Sequence, residues 1–199
     1  MEKQQESNFT CNIAIGGSRH VGKTSFVSCV IYEMPGINPS PLAYSYTKKM
    51  IVEGKTVDVH LYDLVGAEIP KKPPPNYHLY LTRLEINGVI LLYDITQKDT
   101  FQMIPEWIKS IRQSNSKVVI MLIGSKCDVD EKREVSFEEG VEFSKSENLI
   151  FYEASSIKEI NVREAFAFLV TKIVKNFINN AETNKKQNQI ESNYLCNLS

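Results

Sequence analysis

Apolar positions along this chain fall into short runs separated by stretches with helical spacing, and the two alternate along its length. Cys11-Asn12-Ile13-Ala14-Ile15 is a brief apolar run that stops at Gly16-Gly17. Ser25 to Glu33 is compatible with a helix, closed off by Pro35 and Gly36. Tyr46 to Val52 and Thr56 to Tyr62 are extended runs on either side of Glu53-Gly54-Lys55, the pattern of a hairpin. Val89 to Tyr93 and Val118 to Ile123 are apolar throughout, as strands buried on both faces of a parallel sheet must be. Thr100 to Gln113 and Phe137 to Ser146 read as amphipathic helices, and Leu149 to Tyr152 as a further short strand. Val162 to Ile178 carries Phe166, Leu169, Val170, Ile173, Val174 and Phe177 at helical spacing. From Leu64 to Asn76 the four prolines Pro70, Pro73, Pro74 and Pro75 exclude a continuous helix or a central strand.

This alternation predicts one α/β domain over residues 10–178, with a mostly parallel, doubly wound sheet. Residues 1–9 read as a disordered N-terminus. Residues 179–199, rich in Asn, Lys, Gln and Glu and without period, read as a flexible tail. A length of 199 residues suffices for one well-filled core, and 42% hydrophobic residues is ordinary for a globular protein. The net charge of −1 removes the electrostatic basis for binding nucleic acid. No window approaches the ~20 apolar residues that span a bilayer, and the polar start does not read as a signal peptide. Cys11, Cys29, Cys127 and Cys196 neither pair closely nor cluster with histidine, so spacing disfavours zinc. Free thiols of a reducing compartment are expected.

Gly17-Ser18-Arg19-His20-Val21-Gly22-Lys23-Thr24 matches G-x-x-x-x-G-K-[ST], between an expected strand and an expected helix. Such a loop curls backbone N–H groups around a β-phosphate, with the positive end of the helix facing the anion. Lys23 would neutralise β- and γ-oxygens, and the Thr24 hydroxyl would coordinate Mg²⁺. Asp63-Leu64-Val65-Gly66 follows the third strand, where a carboxylate can serve Mg²⁺ and the Gly66 N–H can sense a γ-phosphate. Gly124-Ser125-Lys126-Cys127-Asp128 and Glu153-Ala154-Ser155-Ser156 follow the next two parallel strands, at the ends where open α/β sheets bind ligands. Asp128 can accept hydrogen bonds from N1–H and the exocyclic amine of guanine, a pair that adenine lacks.

On these motifs the chain resembles the Ras-like small GTPases, and within them the Rab branch, over about residues 10–178 and the last four. Gly88 to Thr96, Phe101, Trp107 and Glu139-Gly140-Val141-Glu142-Phe143 fit the Rab pattern. The resemblance implies a P-loop fold with a six-stranded, mostly parallel sheet and about five helices. It implies GTP and GDP as ligands with Mg²⁺, slow hydrolysis, and the recruitment of effectors on the cytoplasmic face of membranes. Gly17, His20, Val21, Gly22, Lys23, Thr24, Ser25, Ser40, Gly66, Ser125, Lys126, Asp128, Ser155, Ser156 and Ile157 are the expected nucleotide contacts. Thr24, Ser40 and Asp63 are the expected metal ligands.

Departures from the family pattern carry further expectations. Ser125 replaces the usual asparagine, so a purine contact and a tether to the phosphate loop are expected to be lost, each worth about 0.5–1.5 kcal/mol. Ser156 and Ile157 replace the alanine and lysine after Ser155; the Ser156 N–H and the aliphatic body of Ile157 can stand in. Ala67 holds the place of the glutamine that orients the attacking water, so unaided hydrolysis should be very slow, although an activating partner can supply the missing groups in trans. Arg19, beside the γ-phosphate, either blocks an incoming arginine finger or acts in cis. Ser40, extended by Pro41, is the expected first-switch ligand, with Ser45 and Thr47 as rivals. Pro35 falls nearest to the position of the aromatic that stacks on guanine. The insert after Glu68, with Lys71 and Lys72, reads as a partner surface or a rigid spacer.

Cys196-Asn197-Leu198-Ser199 is a C-a-a-X terminus of the farnesylated kind. One lipid gives reversible membrane binding, and Lys185 and Lys186 add only a thin basic patch. Effector proteins, an exchange factor, a GTPase-activating protein and a prenyl-binding solubilising factor are the implied partners. The competing reading is a pseudo-GTPase, a membrane-tethered interaction module locked in one nucleotide state.

Overall fold

The structure, a computed structural model, describes residues 9–32, 45–63 and 72–196, with side chains up to Asn180. Strand β1 (Phe9–Gly17) enters the phosphate loop and helix α1 (Lys23–Tyr32). The hairpin of β2 (Ser45–Val52) and β3 (Lys55–Asp63) turns through Glu53 and Gly54. Both take positive φ, 50° and 70°, as a two-residue hairpin turn of the right twist requires. Then come α2 (Tyr77–Arg83), β4 (Gly88–Asp94), α3 (Lys98–Gln102), α4 (Ile104–Ser114) and β5 (Val119–Ser125). A 3₁₀ turn (Asp130–Lys132), α5 (Phe137–Ser146), β6 (Ile150–Ala154) and α6 (Val162–Cys196) complete the order.

The six strands lie in the order β2-β3-β1-β4-β5-β6, parallel except for β2, which runs antiparallel to β3. The expected six-stranded, mostly parallel sheet is therefore present. Lys98–Gln102 is a short lead into α4, so five helices flank the sheet among the described residues. All seven residues of β4 are buried, which is why Val89 to Tyr93 is continuously apolar, with only Asp94 charged at its end. Ile90 and Leu92 join a core with Phe26, Leu61, Leu169 and Ile173 beneath α1 and α6. Val89, Leu91 and Tyr93 join the opposite core with Trp107, Ile111 and Leu122.

Three elements differ from the sequence expectation. The helix expected over Thr100 to Gln113 is broken at Met103, because Pro105 in the first turn of α4 has no N–H to carry the hydrogen-bond ladder across. Helix α2 was not legible. It is one short amphipathic segment that buries Tyr77 and Leu81, the Tyr77 ring meeting Trp107 edge-on at 5.2 Å. Helix α6 continues beyond Ile178 to Cys196, where a flexible tail is the sequence expectation. Lys, Gln and Glu are good helix formers, so helical backbone can propagate from the packed part of α6 once that part is nucleated.

Candidate functional site

The strands β1, β3, β5 and β6 all release their chain at one end of the sheet, and each delivers one candidate segment there. The phosphate loop begins at Gly17, where φ is 129° and a Cβ would stand 2.3 Å from the Leu92 carbonyl oxygen. Only glycine allows the loop to lie this close to β4. Gly22 has open space around it, so its φ of 93° is the reason for glycine there. His20, at φ 62°, and Arg19 are exposed, while Val21 is buried. The buried Lys23 Nζ donates to the carbonyls of Gly17 at 3.0 Å and Ser18 at 2.7 Å, placing the ammonium across the mouth of the loop.

The Thr24 hydroxyl donates to Oδ2 of Asp63, the buried last residue of β3, at 3.3 Å. Among the described residues no group of three or more His, Cys, Asp or Glu could hold a metal ion. What the Thr24–Asp63 pair offers instead is one hydroxyl and one carboxylate oxygen. Hard oxygen donors of this kind fit Mg²⁺ when phosphate oxygens and waters complete its octahedron. Thr47 lies in β2 with its hydroxyl 3.2 Å from Nδ1 of His60, and Ser45 is exposed opposite Tyr62. Ser40, Gly66 and Ala67 lie outside the described residues, as do Pro35 and the start of the proline insert.

The other half of the site is a recess lined by Val21, Gly22 and Ser25 from the phosphate loop and α1, and by Ser125, Lys126, Asp128 and Val129 after β5. Ser156 and Ile157 after β6 close it. The geometry corrects one expectation. Ser125 keeps the tether to the phosphate loop: its buried Oγ is 2.7 Å from the Val21 carbonyl oxygen and 2.7 Å from that of Tyr93. A serine reaches the loop because β5 already brings its Cα alongside, in register with Asp94 of β4.

Lys126 adopts left-handed backbone, φ 63°, and its Nζ is held by Asp94 Oδ2 at 2.5 Å. Asp94 is fully buried, and its second oxygen accepts from the Thr96 N–H at 2.9 Å and the Thr96 hydroxyl at 2.7 Å. The Lys126 stem is thus fixed along the recess by a carboxylate beneath it. Asp128 is half-buried on the recess and, among the described residues, its carboxylate has no hydrogen-bond partner. Ser155 lies under the recess and not in its lining. Fully buried, it accepts the Lys158 N–H on Oγ at 3.1 Å and bridges Ile160 through its backbone, shaping the turn that presents Ser156 and Ile157. Ile157 stands 71% exposed at the rim.

Two further contacts brace these loops. The Cys29 thiol on α1 donates to the Ser156 carbonyl at 3.1 Å, and burial followed by the Glu159 charge raises its pKa. Arg133 grips Glu153 with both nitrogens, at 2.6 and 2.8 Å, and Asp130 at 2.6 Å. It joins the segment after β5 to β6 across both base-side turns. Sequence reasoning did not find Asp94, Cys29, Arg133 or Glu153 as site residues. For Asp94 the available signal was a charge closing a wholly apolar strand.

The model of the Ras family matches residues 12–175. The Ras-related protein Rab11A of Lotus japonicus is 35% identical over 128 residues, covering 64% of this chain. The chain spans 54% of the length of that relative. With the phosphate loop, the Thr24–Asp63 pair and the Asp128 recess arranged around one sheet end, the chain belongs to the Ras family.

Proposed function

We propose that this protein is a guanine-nucleotide switch that binds GTP and GDP with Mg²⁺ and hydrolyses GTP slowly without a partner. The observation that carries this reading is the single recess shared by the phosphate loop and the Asp128 turn. It lets one ligand place a base at Asp128 and phosphates at Lys23. The Asp128 carboxylate accepts from N1–H and the amine of guanine, while Lys126, pinned by Asp94, lays its stem against the base. Lys23 exchanges its loop carbonyls for phosphate oxygens, and the loop N–H groups take the remainder of the charge. Thr24 and Asp63, with Ser40 as the first-switch ligand, would hold Mg²⁺, and the ion would supply charge neutralisation to the β- and γ-oxygens.

Slow hydrolysis follows from Ala67, whose methyl group cannot orient a water. Among the described residues no helix is long and apolar enough to cross a membrane. A prenyl group on Cys196 would anchor the chain reversibly to the cytoplasmic face of membranes, with exchange factor, activating protein and effectors as partners.

A second reading, a pseudo-GTPase interaction module, draws support from the exposed Ile157 at the recess rim and from the substitutions at Arg19, Ala67 and Ser125. Chromatography of the nucleotide released from purified protein, followed by a time course after GTP loading, separates the two. Recovered GDP supports the enzyme, persistent GTP a locked switch, and no nucleotide the pseudo-GTPase.

A further inference from the structure

At the other end of the sheet, where β4 and β5 begin, a groove of about 480 Å³ opens beside α6. That volume lies within the ~300–1,000 Å³ of small-ligand sites. Its apolar lining is Val119 at the start of β5 with Ile173 and Phe177 of α6. Phe177 is 36% exposed there, although Leu169, Val170, Ile173 and Val174 of the same helix are buried.

The polar lining on the sheet side is one-sided. Asn87, immediately before β4, accepts the Asn12 N–H on Oδ1 at 2.8 Å. Asn115 accepts the Lys117 N–H on Oδ1 at 2.9 Å. Each amide has engaged its acceptor oxygen on the protein and keeps its NH₂ protons, and the N–H donors fix which amide atom is the oxygen. Lys117 adds an exposed ammonium, which among the described residues is the one charge of the lining and has no carboxylate partner. A ligand facing this wall must bring acceptors and negative charge. On the other wall Asn176 and Asn180 stand four apart, on one face of α6. An asparagine side chain carries the same amide as a peptide main chain, so this pair can donate to an extended segment and accept from it.

We propose that this groove docks a short acidic peptide segment of a partner protein. Its carboxylate lies at Lys117, Asn87 and Asn115, and a neighbouring apolar side chain lies against Phe177. The charge of the lining selects the acid. The openness of the groove selects a peptide: Asn115, Lys117, Phe177 and Asn180 are all exposed, whereas small-ligand sites enclose ~70–90% of their ligand. A peptide continues past the groove in both directions and needs no such enclosure. The groove shares no residue with the Asp128 recess, so the proposal stands apart from the nucleotide reading.

A random seven-residue peptide library displayed on phage, selected on the full natural chain and counter-selected on Lys117→Glu, tests this. The expected consensus holds Asp or Glu beside an apolar residue. The synthetic consensus peptide should then shift the side-chain NH₂ resonances of Asn87 and Asn115 saturably in an NMR titration. Lys117→Ala and Phe177→Ala should each weaken binding at least fivefold, as should changing the peptide's acid to its amide, while Lys117→Arg keeps most of it. Both positions are exposed, so these variants keep the fold. No enrichment over the charge-reversed variant, a neutral or basic consensus, or shifts confined to other residues overturns the proposal. Phosphatidylserine vesicles moving these amides while no peptide is selected would make the groove a lipid site. Concentration-dependent shifts without added peptide would make it a contact between copies. Either result removes the peptide.

Discussion

Arg19 is exposed in the middle of the phosphate loop, and loop position by itself does not aim a guanidinium at a reacting oxygen. Of the two roles open to it, obstruction of an incoming arginine finger is the one favoured. Arg19→Gly is then expected to hydrolyse GTP at least as fast as the natural protein in single turnover, and several-fold faster with an activating partner. A slower variant would show that Arg19 works in cis. Cys11 makes a different statement, about pH. Burial pushes its thiol from 9.0 up to about 12, so the folded chain keeps a proton that the unfolded chain releases. With the folded pKa above the unfolded one, this contribution to stability is complete below about pH 9 and is lost as pH rises toward the folded value. Urea midpoints of the natural protein and of Cys11→Ala should therefore converge between neutral and strongly alkaline pH. Parallel curves would mean that Cys11 is not the titrating group.

At the scale of elements, the base-side turns are held by ionic contacts as much as by the sheet. Arg133 is 21% exposed and Glu153 9%, with two hydrogen bonds between them. Removing one partner of so shielded a pair leaves the other charge uncompensated, at about 3 kcal/mol. Arg133→Ala should lower stability to denaturant by that order and speed GDP dissociation, because the segment carrying Asp128 is released from β6. A stability loss with unchanged dissociation would separate the brace from the pocket. No periodicity announces such a contact. Its partners lie on different elements, and only the folded chain brings them together. The strands were legible for the opposite reason: β4 and nearly all of β5 are buried on both faces, so burial is written in their continuous apolar runs. Helix α2 escaped because two residues, Tyr77 and Leu81, carry its burial, no side chain caps it, and prolines precede it. Within the candidate site, Lys23, Thr24, Asp63 and Asp128 stand out in the sequence because the roles proposed for them demand fixed residue types. The retained tether of Ser125 was not. It depends on how near β5 brings a short side chain to Val21, a distance that only the packed sheet sets.

For the molecule as a whole, the proposed anchor lies at the far end of α6 from the packed domain. A single prenyl chain gives marginal, reversible attachment. Cys196→Ser is expected to shift the protein from a membrane pellet to the soluble fraction without changing nucleotide affinity, which sedimentation with vesicles and nucleotide competition would measure together. Unchanged partitioning would remove the anchor.

The β2–β3 turn at Glu53 and Gly54 has a practical consequence. It sits at the opposite end of the sheet from the candidate nucleotide contacts among the described residues, with Glu53 paired at the surface to Lys175 at 3.1 Å. A surface pair of this kind adds little to stability. A dye or a surface linker attached at that turn would hold the protein with its nucleotide end facing outward. Such an immobilised sensor would register exchange at the far end of the sheet while its point of attachment stayed silent.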